Sequence, residues 1–479
     1  MDTREAEYKE KIRANLNNVL TSGFVPELGE HRKGKRSDVH FKGDKVIMIA
    51  SDRISCFDHV LSRCVPFKGR VLNLFSEDGM SSSADIIPNT LLPSPDVNVV
   101  IQRRLKNSGF ECVVRGYMWG SLAAEYEAGK RSKCGLEFRE GLHRYGCLDD
   151  VAFTPTTKAE KGHDLDVSLA EIAKVHGDRI ATALRANSVA LFRRAQARAR
   201  KAGMLFIDTK YEFFFDEEGN MYVGDEVNTP DSSRLADNTE YEAKFKLIVQ
   251  EMASGRWRNV YELLKDKPEL KIKEASKQFV RDVLIEAGYK EGMPIPDLTD
   301  EQVVETAWRY IDSYEKLTGK RFDFGDNVSP RRRIMRNLVD AGLAYGACVV
   351  PIGASEKDSE HWGKLETGLK EAGVPFVKPI YLSAHKQTRQ VLDKVVEMDA
   401  TSIEPLVYLT FAGRSNGLGP VVAGNTNYPV ITCPVFSDTA TYAVDIHSSL
   451  RMPSKLPLAT IVDPGNAALF AKRVADMTR

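Results

Sequence analysis

Between residues 345 and 479 a short apolar run, a turn containing glycine or serine, and a helix-like stretch recur, and this repetition constrains the fold more than any other feature of the chain. The runs 347–352, 375–382, 405–411, 429–435 and 458–462 are of strand length. Between them, residues 359–372 carry Trp362, Leu365 and Leu369 at helical spacing and stop at Gly373, a residue suited to the left-handed position after a helix. Strand alternating with helix predicts a parallel sheet covered on both faces, in a three-layer α/β/α domain. Such sheets hold ligands beyond the carboxyl ends of their strands, which singles out the polar residues in 353–358, 383–386 and 413–419.

Upstream the grammar differs, with strands and long helices mixed irregularly. Residues 45–50 and 111–114 read as strands, and Ile180, Leu184, Leu191 and Ala195 mark one face of a helix that ends before Gly203. The segment 316–333 is rich in charge, glycine and proline and reads as a linker, so the expected division is 1–325, a linker at 326–344, and 345–479. Lysine plus arginine (67) equals aspartate plus glutamate (67), so no global field draws the chain to nucleic acid or an anionic membrane. Arg193, Arg194, Arg198, Arg200 and Lys201 have no interleaved stacking aromatics and read as a solvated helix face. The charged opening MDTREAEYKEKIR and the lack of any run approaching the ~18 apolar residues of a membrane helix point to the cytoplasm. Seven scattered cysteines without a CxxC spacing read as reduced thiols, with neither a disulfide framework nor a zinc site.

The stretch 205–234, LFIDTKYEFFFDEEGNMYVGDEVNTPDSSR, carries the most chemistry. Two β-rich runs flank DEEGN, which predicts a hairpin. A centre between Glu218 and Gly219 sets Glu212 opposite Asp225, and two apposed carboxylates with no basic residue between them suit magnesium held jointly by substrate phosphates. An acidic, exposed hairpin is the other reading, since a one-residue shift in register separates the faces. Lys210, two residues before Glu212, shares its strand face and is placed to neutralise a phosphate. The loop PDSSR offers Asp231, Ser232 and Arg234 to an anion, or forms a turn with a helix cap. Near the start, KGKRSD (33–38) sets Gly34 between Lys33 and Lys35, an arrangement that lets amides and ammonium groups approach a triphosphate but is not the GxxxxGK[ST] phosphate loop.

SDRIS (51–55), ECVVRGYMWGS (111–121), FTPTTKAEKGHD (153–164), DTKYEF (208–213) and DEVNTPDSSR (225–234), collinear over about residues 20–325, together resemble the longer form of SAICAR synthetase. The resemblance implies an ATP-grasp-like α+β fold that joins carboxyaminoimidazole ribotide (CAIR) to L-aspartate with ATP and Mg2+. It implies that Glu212 and Asp225 are metal-associated carboxylates and that Arg115, Ser121 and Arg234 hold the CAIR phosphate and carboxylate. Lys210 matches a lysine beside the nucleotide phosphates; Ser51, Asp52 and Arg53 line the same cleft; and Gly34 and Lys35 belong to the ATP loop. That loop departs from the family's GKxRD, since Arg36 comes one place early and Ser37 stands where the arginine belongs.

Downstream, SAHK (383–386), AGRSNGLGPVVAGNTNYPVI (412–431) and HSSLRMP (447–453) resemble AIR carboxylase of the animal type, which makes CAIR from aminoimidazole ribotide (AIR) and CO2 without ATP. His385 is then the candidate for proton transfer or carboxylate orientation, with Lys386, Arg414, Ser415, Asn416 and Gly417 placed to stabilise the carboxylate. Ser383, Ser355 and Asp358 fall to ribotide contacts, although GASEKD (353–358) is one residue longer than the family's G-S-x-S-D. The family implies a homo-oligomer, commonly an octamer. Two further readings stand beside a bifunctional enzyme: an active synthetase on a catalytically inactive, oligomer-forming C-terminal domain, and a pair of nucleotide-binding regulatory modules.

Overall fold

A computed structural model describes all residues except 1–2, 58, 159–164, 275–277, 291, 327, 437 and 478–479, so the end of the FTPTTKAEKGHD stretch lies outside the described residues. The chain forms two units, one of Met1–Val19, Asp52–Pro93 and Val100–Asn327, the other of Leu20–Ser51, Ser94–Val99 and Val328–Arg479.

The first unit is built on an antiparallel sheet of β1 (Lys106–Tyr117), β2 (Cys147–Phe153), β3 (Met204–Phe215), β4 (Met221–Gly224) and β5 (Ser233–Asp237), in which β1 and β5 both pair with β3. Early in β3, Met204 and Phe206 face helix α2 (Asp178–Lys201) and pack with Leu184, Leu191, Phe192 and Ala195. A register shift between Phe206 and Asp208 then inverts the alternation, so that Tyr211 and Phe213 face α2 instead. The inversion puts Asp208, Lys210 and Glu212 together on the opposite face, because side chains two apart in a strand share a side. The helix expected before Gly203 is α2, and its arginines are surface groups: Arg193, Arg194 and Arg198 pair with Asp150, Asp85 and Asp78. Helix α1 (Lys68–Ser81) packs Val71, Leu72 and Phe75 against Val304, Ala307 and Ile311 of α3 (Asp300–Thr318), which starts in a Thr299–Gln302 capping box.

In the second unit the five apolar runs hold β6 (Cys348–Gly353), β7 (Ile380–Tyr381), β8 (Leu406–Phe411), β9 (Val430–Thr432) and β10 (Ala459–Thr460). All pair in parallel in the order β7-β6-β8-β9-β10. Alternate residues face opposite cores. Val349, Val407, Leu409 and Phe411 meet α5 (Ser359–Ala372) and α7 (Pro464–Asp476), whereas Val350, Ile352, Leu406 and Tyr408 meet α6 (Thr388–Thr401). This is a doubly wound three-layer domain whose strand order reverses between β6 and β8.

The range 326–344 contains a helix, α4 (Pro330–Asp340). Residues 20–51 supply the second unit with three antiparallel strands, Glu30–Lys33, Ser37–Lys42 and Lys45–Ala50. They are tied in by main-chain and side-chain bonds, from Ile403 N–H to the Phe24 carbonyl (2.8 Å) and from Lys42 Nζ to the Leu343 carbonyl (2.9 Å). Glu404, fully buried, accepts the Glu27 N–H at 3.3 Å. Burial first, and the neighbouring Glu27 second, push its carboxyl well above the ordinary pKa.

Candidate active sites

Three strands bring the charged residues of the first unit into register. Asp208 in β3 lies opposite Arg115 of β1 on one side and Arg234 of β5 on the other. Its Oδ2 accepts from Arg234 at 2.6 Å and from Arg115 at 3.4 Å, and Arg115 Nε donates to Thr154 Oγ1 at 3.0 Å. One carboxylate thus aligns two guanidinium groups, with Glu274 Oε2 3.8 Å from Arg234 Nε, and it is Lys210 and Arg281 beside them that leave the site positive for an anion. Gly120 (φ 57°) lets Arg234 approach: a Cβ there would stand 2.9 Å from the guanidinium carbon. Ser121 follows, exposed, at the start of the helix Gly120–Glu127. A cavity of about 220 Å3 is lined by Arg115, Asp208, Lys210, Asp231, Ser232, Arg234, Glu274 and Arg281, among others.

Further along the same face Glu212 lies opposite Glu111, a pairing of like charges that two lysines offset. Lys210 bonds Glu111 and stands 3.8 Å from Glu212, while Lys158 bonds Glu212, whose Oε2 also accepts from Asn107 at 3.0 Å. Burial works against the Lys210 charge, but Glu111 and Glu212 outweigh it and hold its pKa above the ordinary lysine value. Lys210 therefore keeps its proton and acts as a fixed positive charge.

The hairpin differs from the expected register. Glu212 pairs with Gly224, and Asp225 follows the strand in a left-handed conformation (φ 60°). The cause is a five-residue loop, 216–220, in which Asp216 exchanges main-chain bonds with Gly219 and Asn220 and its carboxylate accepts the Asn220 N–H at 2.7 Å. An odd-numbered loop centres on Glu218 and moves the partner of Glu212 by one residue. The expectation that no basic residue stands at these carboxylates fails too, since Lys158 and Lys210 both reach Glu212. Among the described residues no group of three or more His, Cys, Asp or Glu side chains is placed to hold a metal ion.

In the PDSSR loop, Asp231 accepts from the buried Lys68 ammonium at 2.8 Å and from the Tyr310 hydroxyl at 2.7 Å, so α1 and α3 fix the loop from behind. Ser232 exchanges a 3.1 Å bond with Thr229. The SDRIS residues divide between the units. Asp52 accepts the Gly69 N–H at 3.1 Å near the start of α1, and Arg53 is buried in the same unit. Gly34, Lys35 and Ser51 belong to the second unit, where the Ser51 hydroxyl donates to the Arg36 carbonyl at 2.6 Å and Gly34 N–H to the Ser37 carbonyl at 2.9 Å.

In the second unit the candidate residues gather at the carboxyl edge of the parallel sheet. A Cβ on Gly417 would lie 3.6 Å from His385 Cε1, and one on Gly413 3.9 Å from Asp358 Oδ1, so the loops after β6, β7 and β8 converge. Ser415 and Asn416 both have positive φ (64° and 26°), strain that Ser415 N–H relieves in part by donating to Asp445 Oδ1 at 2.9 Å. His385, Lys386, Arg414 and Ser415 are exposed. Asn416 is buried, its amide nitrogen spent on Ser449 Oγ at 2.7 Å. Ser383 Oγ accepts the Lys386 N–H at 3.3 Å, and Ser355 caps the short 3-10 helix Glu356–Asp358 through the Lys357 N–H. Burial raises the Asp358 carboxyl pKa.

Sequence reasoning passed over Glu111, Lys158, Asp208, Lys68 and Tyr310 as site residues. Asp208 was within reach, two places before Lys210 on one strand face. Lys68, Lys158 and Tyr310 arrive from distant elements, and no local spacing marks them.

Comparison with known proteins gives two domains. The SAICAR synthetase family model matches residues 30–252 and the AIR carboxylase family model residues 348–479. A phosphoribosylaminoimidazole-succinocarboxamide synthase of Cytophaga hutchinsonii is 38% identical over 314 residues, spanning 64% of this chain and 94% of the relative. The chloroplastic synthase of that name in Arabidopsis thaliana is 36% identical over 352 residues, 71% of this chain and 80% of the relative. A solved structure titled SAICAR-synthase from Saccharomyces cerevisiae complexed SAICAR superposes with TM-score 0.53 at 24% identity, over 64% of this chain and 99% of that one, a likeness of fold.

Proposed function

The chain belongs to the SAICAR synthetase family and carries an AIR carboxylase domain at residues 348–479, and on that premise we propose that it performs two consecutive reactions: carboxylation of AIR by CO2 to CAIR, then ligation of CAIR to L-aspartate with ATP. The observation that carries the second reaction is the continuous face of β1 and β3. It sets the two-arginine clamp on Asp208 beside the lysine–carboxylate cluster of Glu111, Lys158, Lys210 and Glu212.

In the ligation, a CAIR carboxylate oxygen attacks the γ-phosphorus of ATP, giving an acyl phosphate and ADP. The aspartate amine then attacks the acyl carbon, loses a proton and expels phosphate. Arg115 and Arg234, held by Asp208 with Ser121, Asp231 and Ser232 nearby, orient the ribotide anion. Lys210, which keeps its proton, neutralises charge on the transferring phosphoryl group together with Lys158. Asp52 and Arg53, in the same unit, shape the ground around the nucleotide. Glu212 and Asp225 are hard oxygen donors that would hold Mg2+ in company with phosphate oxygens, the Lys158 ammonium now on Glu212 giving way to the ion. That ion would offset negative charge on the phosphates.

In the carboxylation, the unsubstituted ring carbon next to the amine-bearing carbon attacks CO2, a C–C bond forms and the proton of that carbon leaves. His385 takes that proton, and Lys386, Arg414, Ser415 and the Gly417 amide stabilise the new carboxylate. Ser355, Asp358 and Ser383 contact the ribotide. An inactive C-terminal domain remains the competing reading, favoured by one observation: the Asn416 amide nitrogen and the Ser355 oxygen are engaged within the protein.

The deciding experiment is a paired assay of the full chain. AIR and bicarbonate without ATP should give CAIR, and adding ATP, Mg2+ and aspartate should give SAICAR. SAICAR formed only from supplied CAIR would establish the competing reading.

A further inference from the structure

Helix α4 carries Arg331, Arg332, Arg333 and Arg336, and they divide by face. Arg333 meets the buried Asp96 carboxylate through two bonds of 2.9 and 3.1 Å and is neutralised. The other three border a cavity of about 530 Å3 whose remaining wall includes Met335, Val339, Ile403 and Pro405. Arg331 is fixed there by neutral acceptors alone, the Ile403 carbonyl at 3.0 Å and the Tyr428 hydroxyl at 2.5 Å. Arg332 and Arg336, one turn apart and exposed, have no hydrogen-bond or ion-pair partner among the described residues. Asp340, also in the lining, forms no ion pair among the described residues either.

Three guanidinium groups against the single Asp340 carboxylate leave the cavity net positive, and their planar forks match phosphate oxygens in pairs. The volume is that of a small-molecule site, and the apolar wall suits a planar ring. Gly346, Ile403 and Pro405 precede the amino ends of β6 and β8, so the cavity lies at the edge of the sheet opposite the loops that hold His385. It is therefore separate from the carboxylase site.

We infer that the cavity between α4 and the amino edge of the parallel sheet binds an organic phosphate of the nucleoside monophosphate class, its phosphate on Arg332 and Arg336 and its base against Met335, Ile403 and Pro405. The test is calorimetric titration of the full chain with GMP, guanosine and inorganic phosphate, on the wild type, Arg332→Ala/Arg336→Ala and Arg332→Lys/Arg336→Lys. Expected results are a GMP Kd at least ten-fold weaker in the alanine pair, intermediate in the lysine pair, and guanosine and phosphate each at least ten-fold weaker than GMP on the wild type. SAICAR formation in the alanine pair stays within two-fold, and its circular dichroism melt is unchanged. GMP affinity within two-fold of wild type in the alanine pair would overturn the assignment. Inorganic phosphate binding as tightly as GMP would overturn the nucleotide class and leave a simple anion site.

Discussion

The two candidate sites are held in place by opposite means. In the first unit, charged side chains are locked to each other across three strands, Arg115–Asp208–Arg234 and Lys158–Glu212 with Lys210–Glu111. In the second, exposed side chains ride on loops that topology alone brings together, with the strain placed in the backbone at Ser415 and Asn416. A site made by register depends on every residue of the strands beneath it. A site made by strand ends depends on the sheet being parallel and tolerates change in its loops.

The comparison breaks most sharply at Asp208. Asp208→Ala leaves the buried Arg115 without its carboxylate. It should cost about 3–5 kcal/mol in urea denaturation and abolish SAICAR formation while CAIR formation persists. Next, Glu212→Gln should lower SAICAR formation by about 100-fold or more, with carboxylation unchanged, in the paired assay. His385→Ala should do the reverse, lowering carboxylation by about 100-fold with little change in melting temperature, since the side chain is exposed. Loss of both activities in any one of these three would mean that the sites are not independent.

Smaller effects sharpen the contrast in packing. A Cβ on Gly353 would stand 2.5 Å from the Phe411 ring, so Gly353→Ala should destabilise the second unit by about 1–3 kcal/mol, read by thermal melting. The smallest effect concerns Glu404. Its folded pKa lies above the ordinary value of 4.5, so its contribution to stability is full below that pH and declines as pH rises through the raised value. Glu404→Gln should flatten that decline and raise stability at neutral pH by about 1 kcal/mol, measured by denaturation across pH.

The same contrast explains what could be read in the sequence. The β6–β10 order follows from apolar runs alternating with helices, and the candidate loops follow from the strand ends, so the second site needed no register. The Glu212–Asp225 pairing needed one, and a loop of five residues where a centre between two was expected moved it by a single place. The shift at Phe206 that turns Asp208, Lys210 and Glu212 to one face has no signature in composition. Lys68, Lys158 and Tyr310 reach the first site from elsewhere in the chain, and only tertiary structure reveals such partners.

The second unit takes strands from residues 30–50 and its parallel sheet from residues 348–460. During synthesis the early strands can pair with one another, but Leu343, Ile403 and Glu404, which tie them into the unit, emerge only after the ribosome has passed through most of the intervening chain. Closing so long a loop adds little entropy per residue, but it makes assembly of that unit a late event. Slow synthesis near the C-terminus, or premature termination there, would leave the segment 20–51 exposed in an otherwise finished polypeptide, the kind of edge that chaperones hold.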